Sequence, residues 1–178
     1  AGQKEQVVSM VQTLSDFFRA SLNSGKDIVS LEGECRHITS YLQIQQVRYQ
    51  DILTYDVDIP EEIANCKIPK ITLQPLVENA LYHGIKNKRG KGRIVVTGRR
   101  EKDKCVIRVE DNGIGMTKER LNQVRGGLTT KIEDGNDFYG LYNVNERIRL
   151  KFGEGYGLSI DSVLQEGTCV EVWLPWES

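Results

Sequence analysis

Val7, Val11, Leu14 and Phe18 recur at i, i+4, i+7 and i+11, one stripe of a 3.6-residue period, and predict an amphipathic helix over residues 3–22. Asn23-Ser24-Gly25 punctuates its end. Ser30 offers an N-cap for a second helix running to about residue 50. Glu32 and Glu34 in its first turn face the positive helix end, and Leu31, Cys35, Ile38 and Leu42 line one face. The period then changes to two. Residues 53–59 alternate apolar and polar, which predicts a half-buried strand ended by Pro60. Leu73, Leu76, Val77, Ala80 and Leu81 mark a third helix, with Pro75 tolerated in its first turn and Gly84 closing it. Strands over 93–99 and 104–111 are joined by a short polar turn and form a hairpin. A short helix over 118–124 leads into a Gly-rich polar stretch from Arg125 to about Asp137, and a loop of that length in a small domain is usually functional. Leu141, Val144, Ile148 and Phe152 place a fourth helix over 139–152. A second hairpin, 157–163 and 168–174, turns at Gln165-Glu166-Gly167.

Two helices followed by hairpin-joined strands with helices between them predict an α+β fold. One mixed, mostly antiparallel sheet is covered on one face by helices and preceded by two N-terminal helices. Hairpin-length connections argue against a doubly wound parallel sheet. The domain division expected is 1–50 for the leading helices and 51–178 for the α/β unit. Composition changes little in this picture: 39% hydrophobic and 28% charged residues suit a globular domain, and a net charge of -1 leaves no basic footprint for nucleic acid. The four cysteines form no C-x-x-C pair, and Cys35, Cys105 and Cys169 sit in apolar patterns, which reads as buried free thiols of a reducing cytoplasm. No apolar run reaches the ~18 residues that span a bilayer. The opening Ala1-Gly2 lacks an initiator Met, so the chain is read as a fragment.

Four stretches carry candidate chemistry. Asp111-Asn112-Gly113-Ile114-Gly115-Met116 ends an apolar strand; an ionised Asp111 only accepts hydrogen bonds and suits an exocyclic amino group, and the glycines let backbone approach a flat ligand. Its plainer reading is a glycine-rich Asx turn. Asn79 and His83 are i, i+4 on one helical stripe; the Asn carbonyl suits Mg²⁺, and Glu78 is one position round the helix. The alternative is a core-edge amide and a helix-terminal cation. Gly140-Leu141 opens a helix whose free N–H groups attract an anion, or is an ordinary helix start. Gly167-Thr168 precedes the last strand and by itself reads as a hairpin turn. No P-loop and no G-x-G-x-x-G is present.

The order of these stretches resembles the GHKL superfamily of ATP-binding domains, whose Bergerat fold is a two-layer α/β sandwich shared by gyrase, heat-shock chaperones, mismatch-repair ATPases and histidine kinases. Residues 73–84 (LQPLVENALYHG) and 140–147 (GLYNVNER) are similar to sensor histidine kinases of the autolysin-regulator type, and 41–49 resemble the helix leading into their catalytic domain. The resemblance implies that Asn79 holds Mg²⁺ against the ATP phosphates, with His83 and Lys86 as further phosphate contacts. It implies that Asp111 receives the adenine amino group with Thr168 supporting it through a water. Gly113, Gly115 and Met116 would approach the base, and Gly140 and Leu141 would meet the phosphates under a lid at about 125–138. Glu78 would assist as a proton acceptor.

The implied activity is transfer of the ATP γ-phosphoryl to a histidine of the same protein and onward to an aspartate of a response-regulator receiver domain. The intact protein is expected to be a homodimer, a cytoplasmic domain on a membrane-anchored bacterial protein. Two departures stand out. Phe138 replaces the usual first glycine of the G-x-G-L box, and the P-H-F-L-F-N stretch that bears the phosphoacceptor histidine is absent. His37, between Arg36 and Ile38, is read as an ordinary surface or interface histidine. Superfamily ATPases place a Glu base four residues before the Mg²⁺-binding Asn; here that position is Pro75, which disfavours hydrolysis. The alternatives are a GHKL serine/threonine kinase of the anti-sigma-factor type, a clamp ATPase, and a nucleotide-gated or nucleotide-free interaction module.

Overall fold

The computed structural model describes residues 2–22, 27–130 and 139–177. Helix α1 (Gly2–Leu22) leads into β1 (Ile28–Ser30) and α2 (Leu31–Arg48). Ser30 caps α2 by accepting from the Gly33 N–H at 3.1 Å. Then come β2 (Leu53–Asp58), a 3₁₀ turn (Glu61–Ile63), β3 (Lys67–Pro69) and α3 (Leu73–Asn79), which continues without a break as a π-helical segment (Ala80–Ile85). β4 (Gly92–Glu101), β5 (Lys104–Asp111), α4 (Lys118–Gly127), α5 (Tyr139–Phe152), β6 (Gly157–Val163) and β7 (Gly167–Pro175) complete the chain.

Five strands form a mixed sheet in the order β2-β4-β5-β7-β6, with β2 parallel to β4 and every other pair antiparallel. A parallel pair needs a crossover, and the segment carrying α3 provides it. One sheet face buries Ile94, Val96, Ile107, Val109, Val170 and Val172 under the helices. The other carries a lattice of partly exposed ions, Arg99 with Glu171 at 3.1 Å and Arg108 with Glu110 at 2.8 Å, whose worth to stability is small. The expected α+β sandwich is thus present. β1 and β3 pair as a separate two-stranded ribbon that the sequence pattern did not reveal, because three residues are too few to establish a period.

Several expectations are corrected. Gly84 does not close a helix: α geometry ends at Asn79, and the wider π turns run past Gly84 to Ile85. Helix α4 continues through Arg125–Gly127, part of the expected loop, because Arg125 Nε donates to the Ile160 carbonyl at 2.9 Å and Leu128 is buried just beyond. Residues 131–138 of the expected lid, including Phe138, lie outside the described residues. His37 is not a surface residue; it is buried between α1, α2 and α3. Cys66 is buried as well, whereas Cys169 is only half-buried. Leu31, Ile38 and Leu42 place α2 in the same core as the sheet, while α1 leaves Val7, Val11 and Phe18 more than half exposed.

Candidate functional site

A cavity of about 310 Å³ opens where β5 ends. Asp111 lies at its base. One wall is Leu76, Asn79, Ala80, His83 and Gly84 of the α3–π helix. The opposite wall is Ile114, Gly115, Met116, Thr117 and Arg120, and β6, β7 and α5 add Leu164, Thr168, Val170 and Leu141. Mostly apolar walls with a few converging polar groups suit a flat heteroaromatic ligand with a polar end.

The carboxylate of Asp111 accepts the Gly113 N–H at 2.8 Å. Burial pushes its pKa up to about 6, against the opposing pull of the Gly113 and Thr168 N–H groups and the Lys88 charge. Among the described residues no cation is bonded to it directly; Lys88 Nζ instead donates to the Asn112 carbonyl at 2.6 Å. The Ser162 hydroxyl has one proton and gives it to the Gly167 carbonyl at 2.8 Å, so the 2.9 Å contact between Ser162 Oγ and Thr168 Oγ1 is donated by Thr168. The Thr168 oxygen therefore meets the cavity as an acceptor.

Close backbone approach explains two of the glycines around Asp111. A Cβ on Gly84 would sit 2.5 Å from Asp111 Oδ1, and one on Gly113 would sit 2.3 Å from the Gly84 carbonyl carbon. The widened π turns thus press Gly84 onto the end of β5, and the Ile114 N–H reaches the Gly84 carbonyl at 3.3 Å. Gly115 combines a φ of +63° with a Cβ position 1.9 Å from the Val163 carbonyl oxygen.

Asn79, His83, Asp111, Gly115, Met116, Leu141 and Thr168 all line the one cavity. Gly113 stands behind it, against Gly84. Gly140 is exposed at the start of α5 and lies near Pro75 rather than on the cavity wall. Lys86 lies outside, its Nζ 5.6 Å from the Tyr82 ring centroid. Glu78 also points elsewhere: it accepts from Gln74 Nε2 at 2.9 Å on the α2 side of the helix. Sequence reasoning missed Asn87, Thr117, Arg120 and Leu164 on the wall; Arg120 is three residues past the Thr117 N-cap, a spacing that would have placed it there. It also missed the buried Asn145, whose amide donates to the Leu128 carbonyl and accepts the Leu158 N–H, both at 2.8 Å, tying the end of α4 to β6.

Among the described residues no group of three or more His, Cys, Asp or Glu side chains could hold a metal ion. The oxygen donors at the cavity are the amides of Asn79 and Asn87, the Asp111 carboxylate and threonine hydroxyls, with no cluster of carboxylates. That fits a hard cation which keeps most of its ligands as water and phosphate oxygen, and does not fit a resident structural metal.

Comparison with known proteins agrees with this geometry. Residues 69–178 match the family model for the histidine kinase-, DNA gyrase B-, and HSP90-like ATPase, and residues 1–53 match the model named histidine kinase. The chain is 36% identical over 176 residues to sensor histidine kinase YesM of Bacillus subtilis, covering 98% of this chain and 29% of that protein. It is 34% identical over 172 residues to sensor histidine kinase BtsS of Escherichia coli, covering 97% and 28%. It is 33% identical over 175 residues to the sensor protein LytS of Staphylococcus saprophyticus, covering 98% and 29%. The chain therefore spans less than a third of these relatives. In fold it is similar to the histidine kinase domain of a blue-light activated histidine kinase of Erythrobacter litoralis (TM-score 0.59, 15% identity, 93% of this chain and 72% of that one). It is also similar to the catalytic domain of histidine kinase ThkA (TM-score 0.59, 12% identity, 83% and 94%). With the acidic end of β5, the asparagine helix and the glycine contacts converging on one cavity, the chain belongs to the family of histidine kinase-, DNA gyrase B- and HSP90-like ATPases.

Proposed function

We propose that this chain is the ATP-binding catalytic part of a sensor histidine kinase, and that the whole protein phosphorylates one of its own histidines and passes the phosphoryl group to an aspartate of a response-regulator receiver domain. The observation that carries this reading is that Asp111 and Asn79, from different elements, face one cavity with apolar walls between them. Asp111 accepts the amino group of the purine, and Thr168 accepts a bridging water beside it. Met116, Ile114 and Leu141 cover the faces of the base. Asn79 supplies an amide oxygen to Mg²⁺, which when bound neutralises phosphate charge. His83, on the same wall, is placed for a phosphate oxygen.

Pro75 favours transfer over hydrolysis. The side chain in that place has no proton acceptor, so no protein base activates water there. A neutral imidazole needs less help, being nucleophilic near neutral pH. Residues 1–50 are read as the end of a dimerisation and phosphotransfer region, and the intact protein as a membrane-anchored homodimer whose catalytic part is cytoplasmic. Among the described residues no helix is long and apolar enough to cross a membrane.

The test is calorimetric titration with Mg²⁺ and a non-hydrolysable ATP analogue. Wild type should bind, and Asp111→Ala should lose at least about tenfold in affinity, the usual cost of leaving one polar contact of a bound ligand unmade. Equal binding by both proteins would remove the assignment. The 178-residue chain alone should bind nucleotide without labelling itself from γ-labelled ATP.

A further inference from the structure

The polar or charged side chains buried among the described residues are Glu34, His37, Thr72 and Asn145. The first three meet at one seam between α2 and α3. Glu34 accepts from the N–H groups of Ile71, Thr72 and Leu73 at 2.8, 3.0 and 3.1 Å, at the N-terminal end of α3. One turn along α2, His37 Nε2 lies 2.7 Å from Gln74 Oε1, and Gln74 Nε2 donates to Glu78 Oε1 at 2.9 Å. One turn further, Tyr41 lies beside Glu78 and Tyr82, the latter in the π segment. Glu34, His37 and Tyr41 are i, i+3 and i+7, a single stripe of α2.

The protons in this chain have one consistent arrangement. A carboxylate only accepts, so Gln74 turns its NH₂ to Glu78 and its carbonyl to His37. His37 must then carry its proton on Nε2, which leaves the buried Nδ1 without a partner. Phe17 of α1 stacks on the same imidazole, with centroids 4.7 Å apart and planes 16° from parallel. The seam therefore runs from α1 through α2 to Glu78, the residue immediately before Asn79. It also reaches Tyr82, just past the point where α3 widens.

Transitions from α to π turns cluster at functional sites. An i→i+5 turn holds more residues than an α turn, so moving the transition along the chain changes the direction of the side chains at and beyond it. Asn79 stands at the transition, so its place on the cavity wall depends on where the widening begins. We propose that the His37–Gln74–Glu78 chain, with Tyr41 on Tyr82, is a positioning device that sets where α3 changes to π geometry. It thereby holds Asn79 on the nucleotide cavity, and Phe17 makes it responsive to the packing of α1. The inference rests on the reading of Asn79 as the ligand of the nucleotide-bound cation.

Gln74→Met keeps the length of the side chain and removes both hydrogen bonds; Phe17→Ala removes the stack from α1 at a residue that does not line the cavity. Two measurements on the full chain test the idea: affinity for a non-hydrolysable ATP analogue with and without Mg²⁺, and amide hydrogen exchange over 80–85. Gln74→Met should lose about tenfold of the Mg²⁺-dependent gain in affinity, the size typical of groups that orient a metal ligand, with metal-free affinity within about twofold of wild type. Phe17→Ala should lose less in the same direction, and exchange over 80–85 should quicken in both. Unchanged exchange in Gln74→Met, or an equal loss of affinity with and without Mg²⁺, would overturn the positioning role. A wild type whose analogue binding ignores Mg²⁺, or that binds no analogue, would instead remove the Asn79 reading beneath it.

Discussion

Asp111 is held in an apolar cavity with no cation bonded to it among the described residues, and that position has a thermodynamic signature. Its folded pKa of about 6 lies above its ordinary 3.8. Below the lower value the group is protonated whether the chain is folded or not. Between the two the folded state retains a proton that the unfolded state has released, so stability falls as pH rises through this window. Above it a constant penalty remains, at most about 3 kcal/mol for a shift of this size. Asp111→Asn should therefore melt higher than wild type at pH 8, with the difference shrinking towards pH 4; a difference independent of pH would contradict the burial argument. On the proposed reading the ionised carboxylate is the stronger acceptor for the purine amino group, so analogue affinity in the wild type should decline as pH drops below about 6, by up to tenfold per unit. Gly84 is the second residue whose chemistry is local. Gly84→Ala would drive a methyl into Asp111 Oδ1, and it should cost about 1–3 kcal/mol in urea unfolding and weaken analogue binding more than it weakens the fold.

Helix α3 is short, begins on a Thr72 whose side chain makes no capping bond to it, and turns to π geometry after Asn79. Its exposed N–H groups are satisfied from another element, by Glu34, and Arg147 closes the same loop by donating to the Lys70 and Ile71 carbonyls at 2.7 and 2.6 Å. Ile71, a β-branched residue at φ 57°, is held in a left-handed conformation between them. Glu34→Ala would leave three backbone donors at the buried end of α3 and should destabilise the protein by about 2–4 kcal/mol in urea titration. A loss below about 1 kcal/mol would show that the loop finds other partners. Little of this was legible beforehand. Glu34 was readable as an acidic first-turn residue of α2, since i+4 from the Ser30 cap is a local relation. Its partners are about 37 residues away, and no pattern of period two or 3.6 encodes them.

For the whole molecule, the cavity joins four segments of chain, and ligand should bind the folded form alone. At a hundredfold excess over Kd, Mg²⁺ with the ATP analogue should add about 2.7 kcal/mol and raise the melting temperature; Mg²⁺ by itself should not, because among the described residues no cluster of three His, Cys, Asp or Glu side chains offers it a site. A rise with Mg²⁺ alone would point to a metal site outside this reading. The sequence by itself determined the helices, the two hairpins, the one-faced sheet and the residues proposed to read a purine, because hydrophobic period, turn chemistry and the acceptor-only nature of a carboxylate are local properties. Only the tertiary structure decided that Glu78 turns towards α2 and away from the cavity, that His37 is buried, that α3 widens at Ala80 to press Gly84 on Asp111, and that α2 shares the core of the sheet. Those outcomes depend on which distant groups satisfy a buried donor or acceptor, and that choice is made when the elements pack.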